Sequence, residues 1–176
     1  MKAVLEIEKL IGGAVEFDGD KFYLLQDNAP RLDMNLAAEG IRKFAMLAQL
    51  LYNGSLIQKT TLFWDEPESN LNPALLRQLA SIVTELARHG FQIILATHSM
   101  NLLKEFHILS REKEKGDLPI RYFGLNARPG HATTVTAQDD FEYLPDVVAL
   151  DVELQQADKL EEIFAREDRE AHANNH

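Results

Sequence analysis

Apolar residues recur at helical spacing over residues 2–11, where Val4, Leu5, Ile7, Leu10 and Ile11 share one side and Gly12-Gly13 follows as a stop. Three short runs rich in β-formers come next, at residues 14–17, 21–26 and 31–36. Asp18-Gly19-Asp20 between the first two reads as a tight hairpin turn. Residues 38–52 predict an amphipathic helix with Ile41, Phe44, Ala45, Ala48 and Leu51 on one face. Residues 60–64 form a continuous apolar strand that ends in Asp65-Glu66-Pro67. Residues 73–89 predict a helix: Asn72 is a good N-cap, Pro73 suits the first turn and Gly90 closes it. A second apolar strand, 91–96, ends at Thr97-His98-Ser99, and Ser99 or Asn101 opens a short helix to about 106. Neither strand alternates, which suits parallel strands buried on both faces. Further on, residues 110–118 are a charged loop. Residues 120–125 and 133–137 make a late hairpin around Arg128-Pro129-Gly130. Residues 144–170 predict a final helix, and 171–176 a frayed tail.

Composition narrows the class. The chain has 176 residues, 45% hydrophobic and 26% charged, the balance of one soluble domain. There is no cysteine, so disulfide scaffolds, thiolate zinc sites and cysteine nucleophiles are excluded. The longest apolar runs fall far short of the ~20 residues of a membrane span. The N-terminus lacks the basic-then-apolar pattern of a signal peptide, so a cytoplasmic protein without a membrane partner is expected. The net charge is −10, from 28 acidic against 18 basic residues. That field disfavours a non-specific DNA or membrane binder acting alone. Between Asp139 and Glu170 only Lys159, Arg166 and Arg169 offset many acids, which reads as a solvated helix face.

The chemistry lies in residues 61–73, TLFWDEPESNLNP. In an open parallel sheet, ligands bind at the carboxyl ends of strands. An Asp there can hold magnesium through water, and the adjacent Glu can orient or deprotonate an attacking water. About thirty residues on, His98 stands at the end of the second apolar strand. Bland readings exist for each: Asp65-Glu66 as a structural turn and His98 as a satisfied loop histidine. Trp64 reads as core. Arg42 and Lys43 fit either a solvated helix face or a reach toward a facing nucleotide. His89, His107, His131, His172 and His176 show no metal-ligand spacing.

Leu62-Phe63-Trp64-Asp65-Glu66-Pro67 resembles the Walker B segment of ABC-type ATPases. Glu68-Ser69-Asn70-Leu71-Asn72 resembles their D-loop and Thr97-His98 their switch histidine. Upstream, Leu36-Ala37-Ala38-Glu39-Gly40-Ile41-Arg42-Lys43 resembles a divergent signature motif. The four stand in the family's order over roughly residues 30–107, and look closest to stand-alone bacterial ATPases of the AAA or overcoming-lysogenisation-like kind. The resemblance implies an α/β fold, the C-terminal part of a P-loop NTPase head. Its sheet would be mostly parallel, with flanking helices and a few peripheral antiparallel strands. It implies a single partial domain over 1–176: a lobe at 1–37, the motif core at 38–109, and a hairpin with an acidic helix at 110–176. It implies ATP and Mg2+ as ligands. Asp65 would support magnesium through water, Glu66 would be the catalytic carboxylate and His98 would contact the γ-phosphate. Ala38, Glu39 and Gly40 would meet the nucleotide of a facing subunit, and Ser69 and Asn72 would lie at the dimer seam.

Three departures bear on that implication. Ala38 stands where the signature usually has Ser, and Asn72 where the D-loop usually has Asp. The sequence also holds no GxxxxGK[ST]: the stretch from Gly12 to Lys21 has the wrong glycine spacing and Asp20 where Lys is needed. The expectation is therefore a C-terminal half that needs an N-terminal half, or dimerisation with a complete subunit, for magnesium-dependent ATP hydrolysis; its expected partner is a homodimer mate or a complementary ATPase half. An exposed apolar edge is expected where that half is missing. The alternative is a non-catalytic remnant that acts as a dimerisation or regulatory module. A weaker third reading is a metal-dependent nuclease using Asp65, Glu66 and His98. DNA, or a toxin or nuclease partner, is compatible with the resemblance.

Overall fold

Helix α1 (Lys2–Ile11) buries Val4, Ile7 and Ile11 and stops at Gly12, whose φ of 75° is left-handed. The computed structural model describes residues 2–19, 21–112, 118–127, 129–145, 155–156 and 158–166. The chain divides into two compact units, Met1–Pro119 and Ile120–His176. The core of the first unit lies among its helices. α2 (Glu39–Tyr52) buries Phe44, Ala45, Leu47 and Ala48. α3 (Pro73–Arg88) buries Leu76, Leu79, Ala80, Ile82, Val83 and Leu86, a broad stripe at three-and-four spacing. α4 (Met100–Arg111) buries Met100, Leu102, Phe106 and Leu109. α1 packs on α2 and α3, and α3 packs on α4.

The caps follow the sequence. Asn72 accepts a hydrogen bond from Leu75 N at 2.9 Å, Pro73 occupies the first turn, and Gly90 (φ 86°) follows the C-cap. Ser99 caps α4 by accepting from Leu102 N at 3.3 Å. α4 runs five residues beyond the expected end near 106, because Phe106 and Leu109 continue its buried stripe.

A three-stranded antiparallel sheet joins β1 (Ala14–Asp18), β2 (Lys21–Leu25) and β3 (Leu32–Asp33), in that order. Asp18 pairs with Lys21 across the expected tight turn, with Gly19 at φ 64°. β3 is shorter than expected. The Asp33 carboxylate accepts from Asn35 N at 2.9 Å and turns the chain into a 3-10 helix at Met34–Leu36. A short acid bonding its own backbone competes with strand pairing.

β4 (Thr61–Asp65) and β5 (Gln92–Ala96) are parallel neighbours joined by the α3 crossover. The mostly parallel sheet that was expected is limited to this pair: the other pairs among the described strands are antiparallel, each between strands adjacent in the chain with no crossover helix between them. Burial on both faces is also corrected. Leu62, Trp64, Ile93 and Leu95 are half-buried, but Phe63 is 73% exposed and its register partner Ile94 47% exposed. The apolar exposure observed lies on one face of the strand pair, where an edge was expected.

In the second unit β6 (Tyr122–Asn126) and β7 (Thr134–Gln138) form the expected antiparallel hairpin. Tyr122 is buried and its ring lies 5.6 Å from that of Phe141, in the 3-10 turn Phe141–Tyr143. Of the final helix expected over 144–170, residues 155–156 and 158–166 are helical, whereas 146–154, 157 and 167–170 lie outside the described residues. So do 113–117 of the charged loop, Arg128 of the late turn and the whole tail at 171–176. Among the described residues no helix is long and apolar enough to cross a membrane.

Urea unfolding separates the two kinds of apolar position. Leu79, 1% exposed, is expected to cost about 2–5 kcal/mol on replacement by Ala. Phe63→Ala is expected to change stability by only about 0.5 kcal/mol. Equal losses at the two sites would refute the one-sided packing of β4 and β5.

Candidate functional site

The strand pair brings its chemistry to one end. Asp65 closes β4 and pairs in register with Ala96, the last residue of β5. Glu66 N then donates to Ala96 O at 2.9 Å, so the ladder runs one residue past β4 onto the last residue of β5. Thr97 and His98 leave β5 at the same end. Asp65, Glu66 and His98 are all exposed there, at the carboxyl ends of parallel strands.

Beyond Asp65 the chain makes a strained turn. Glu66 (φ 42°) and Asn70 (φ 60°) both lie in the left-handed region. A non-glycine residue there costs on the order of 1–3 kcal/mol and persists only where its surroundings enforce it. At Glu66 three donors converge on the carbonyl oxygen: Ser69 N at 3.1 Å, Ser69 Oγ at 2.9 Å and Lys43 Nζ at 3.4 Å. Lys43 Nζ also donates to Ser69 O at 2.6 Å, Ser69 Oγ at 2.7 Å and Pro67 O at 3.2 Å. At the other end of the turn, Asn70 Nδ2 donates to Glu39 Oε2 at 2.7 Å. α2 therefore grips the turn at two residues one helical turn apart, Glu39 and Lys43.

The same turn reaches the histidine loop. Thr97 Oγ1 donates to Glu68 Oε1 and accepts from Ser99 N at 3.0 Å. His98 thus sits between a residue tied to the 66–70 turn and the N-cap of α4. Glu68 Oε2 is buried and has no hydrogen-bond partner among the described residues.

At the start of α2, Ala38 is the N-cap residue and supplies no side-chain bond, as a methyl must. Gly40 is buried: a Cβ there would lie 2.9 Å from Leu71 Cδ2 and 3.2 Å from Leu75 Cδ1. The glycine permits close approach of α2 to the chain between the turn and α3. Ser69 spends its hydroxyl on Lys43 and Glu66, and Asn72 spends its oxygen on capping α3. The residues singled out from sequence thus fall into two linked groups. Asp65, Glu66 and His98 share the strand end, Glu39, Gly40 and Ser69 build the contact between α2 and the turn, and Asn72 caps α3 just beyond it.

Sequence reasoning named Lys43 and Glu68 without finding what they bind. Lys43 follows Glu39 by four residues, on a helix face that points at the turn, and it meets backbone carbonyls where solvent or a nucleotide was expected. Nothing in the sequence marks Glu68 as the partner of Thr97.

Among the described residues no cluster of three or more His, Asp or Glu could hold a metal ion. The single Asp65 carboxylate fits magnesium that arrives with a nucleotide, because Mg2+ keeps several waters and takes one or two carboxylates plus phosphates.

A family model described as "AAA domain, putative AbiEii toxin, Type IV TA system" matches residues 4–104. No curated protein matches the chain in sequence. Among solved structures, a chain from work on ATP-driven dimerization and DNA-stimulated activation of SMC ATPases is 12% identical, with a TM-score of 0.54 over 89% of this chain and 94% of that one. The Smc head domain with an extended coiled coil from Pyrococcus furiosus, bound to the C-terminal domain of ScpA, is 12% identical with a TM-score of 0.52. That match covers 91% of this chain and 38% of the other. The SMC head domain from Thermotoga maritima is 14% identical with a TM-score of 0.51, covering 78% of this chain and 44% of that one. At these identities the likeness is one of fold. With the family match it makes this a P-loop ATPase-type domain.

The start of α2 yields two expected outcomes, both read by thermal or urea unfolding. Ala38 already has the extended backbone of an N-cap (φ −57°, ψ 144°), so Ala38→Ser is expected to stabilise by about 1 kcal/mol. Gly40→Val is expected to destabilise by about 1–3 kcal/mol through overpacking against Leu71 and Leu75. A neutral Gly40→Val would contradict the close approach.

Proposed function

Because the chain belongs to the family described as "AAA domain, putative AbiEii toxin, Type IV TA system", we propose that it is the Walker B half of an ABC-type ATPase head, completed by a polypeptide that carries the phosphate loop. The observation that carries this reading is the ladder extended to Glu66, which sets Asp65 and Glu66 beside Thr97-His98 at one strand end. Asp65 holds magnesium through water. Glu66 orients the attacking water and takes its proton. His98 contacts the terminal phosphate. Magnesium, when bound, neutralises charge on the phosphate oxygens. The amides at the start of α2, residues 38–40, meet the phosphates of a facing subunit, where the helix dipole favours an anion. Ser69 and Asn72 lie at the seam between subunits.

Two things support the need for a complement. The sequence offers no lysine-bearing phosphate loop. The exposed Phe63 and Ile94 give β4 and β5 an apolar face for a second layer. ATP-driven dimerization is a property of one SMC neighbour and supports a nucleotide-closed dimer here. The toxin–antitoxin setting of the family supports a toxin-class partner, and the DNA-stimulated activation of that neighbour supports testing DNA. We place the reaction in the cytoplasm.

A non-catalytic, regulatory reading stands second, favoured by Ala38, which removes a hydroxyl donor at the signature. Steady-state ATP turnover with Mg2+ separates the two. The chain alone is expected to show no turnover. Addition of its phosphate-loop half restores it, and Glu66→Gln then lowers kcat by roughly a hundredfold or more while nucleotide binding persists. Turnover by the chain alone that survives Glu66→Gln would refute the half-head reading. No turnover in the complete assembly would favour the regulatory one. Magnesium-dependent DNA cleavage without nucleotide would point to a nuclease.

A further inference from the structure

The Lys43 ammonium is committed in an unusual way. A lysine on a helix surface ordinarily extends its charge into water. Here Nζ is part-buried and faces three backbone carbonyls and a hydroxyl, all from residues 66–69. The three shortest contacts, 2.6, 2.7 and 3.2 Å, match the three protons of the ammonium. The fourth acceptor, Glu66 O at 3.4 Å, belongs to a residue whose backbone is left-handed at φ 42°. Carbonyls crowded at one point repel one another, and a cation at their focus turns that repulsion into attraction. Without it, Glu66 has its N–H on Ala96 O and its carbonyl on Ser69, but nothing draws the carbonyls of Pro67 and Ser69 together.

We infer that Lys43 is a positioning residue for Glu66: from the signature-like helix its ammonium gathers the 66–69 carbonyls and holds Glu66 in the left-handed turn off β4. The inference rests on the ATPase reading for its catalytic consequence, but the anchoring itself does not. It gives α2 a mechanical hold on the end of β4. Through Glu68 and Thr97 the same turn reaches the histidine loop, so a shift of α2 is felt on both sides of His98. An event at the helix start, where Glu39 also grips Asn70, is thereby coupled to the carboxylate at the strand end.

The test has two arms, on Lys43→Met, which keeps the aliphatic stem, and Lys43→Arg. The first arm is amide hydrogen exchange on the full chain without nucleotide. In Lys43→Met the amides of Ser69 and Leu71 are expected to exchange roughly tenfold faster or more, while those of Leu79 and Val83 in α3 stay at the wild-type rate. Lys43→Arg is expected to rescue protection in part, since a planar fork keeps the charge but cannot point all its donors at one focus. Unchanged exchange in Lys43→Met overturns the inference, whatever becomes of the ATPase reading. The second arm measures turnover in the complete assembly with its phosphate-loop polypeptide. Lys43→Met is expected to lower kcat roughly ten- to a hundredfold at unchanged KM, with partial rescue by Arg. A wild-type kcat in Lys43→Met, where Glu66→Gln is inactive, overturns the positioning role. If Glu66→Gln itself turns over normally, the ATPase reading falls and takes the catalytic consequence with it, whereas the exchange result still decides the anchoring.

Discussion

The parallel pairing of β4 with β5, carried one residue further by Glu66 N–H on Ala96 O, is the constraint on which the site depends. It fixes where both strands end, and so which residues meet there. A slip of one position would turn every side chain of one strand to the other face and separate Asp65-Glu66 from Thr97-His98. The register is held from outside the ladder as well, by the crossover α3, which is capped at both ends and buried along a wide stripe against α1 and α4. The core of the first unit is thus helical, and the strand pair is a shelf on it.

On that shelf the 66–70 turn is held from two directions. α2 reaches it with Glu39 and Lys43, and the loop after β5 reaches it through Thr97 and Glu68. Gly40 lets the first of these approaches happen, since any Cβ would press on Leu71 and Leu75. Two left-handed non-glycine residues, Glu66 and Asn70, are the conformational cost of this arrangement, and each is met by hydrogen bonds from its surroundings. The signature-like helix, the acidic strand end and the histidine loop are therefore joined in one hydrogen-bonded unit.

Much of this was legible in the sequence, and the exceptions share a physical cause. Helix periodicity, the Asn72-Pro73 start and the Gly90 stop located α3 closely, because caps and stripes are local signals. The tight turn at Asp18 and the hairpin of β6 and β7 were legible for the same reason. The exposure of Phe63 and Ile94 was not: a continuous apolar run says that both faces prefer cover, not that this chain supplies it. β3 is shorter than its run of β-formers because the Asp33 side chain bonds its own backbone. At the site, Asp65, Glu66 and His98 stood out because they stand at or just beyond the ends of apolar strands. Lys43 did not, since its acceptors are main-chain carbonyls, which carry no sequence identity, and the link from Glu68 to Thr97 spans 29 residues.

The claim that one strand end gathers a nucleotide's metal and phosphates is open to direct measurement on the chain as it stands. Mn2+ with a non-hydrolysable ATP analogue, titrated against the isotope-labelled protein, broadens nearby resonances first. Selective broadening at Asp65, Glu66 and His98, ahead of the acids at 158–166, is the expected result, with weak affinity in the absence of a phosphate loop. Broadening that begins in the acidic helix, or spreads evenly over the negative surface while the strand end stays sharp, would contradict it.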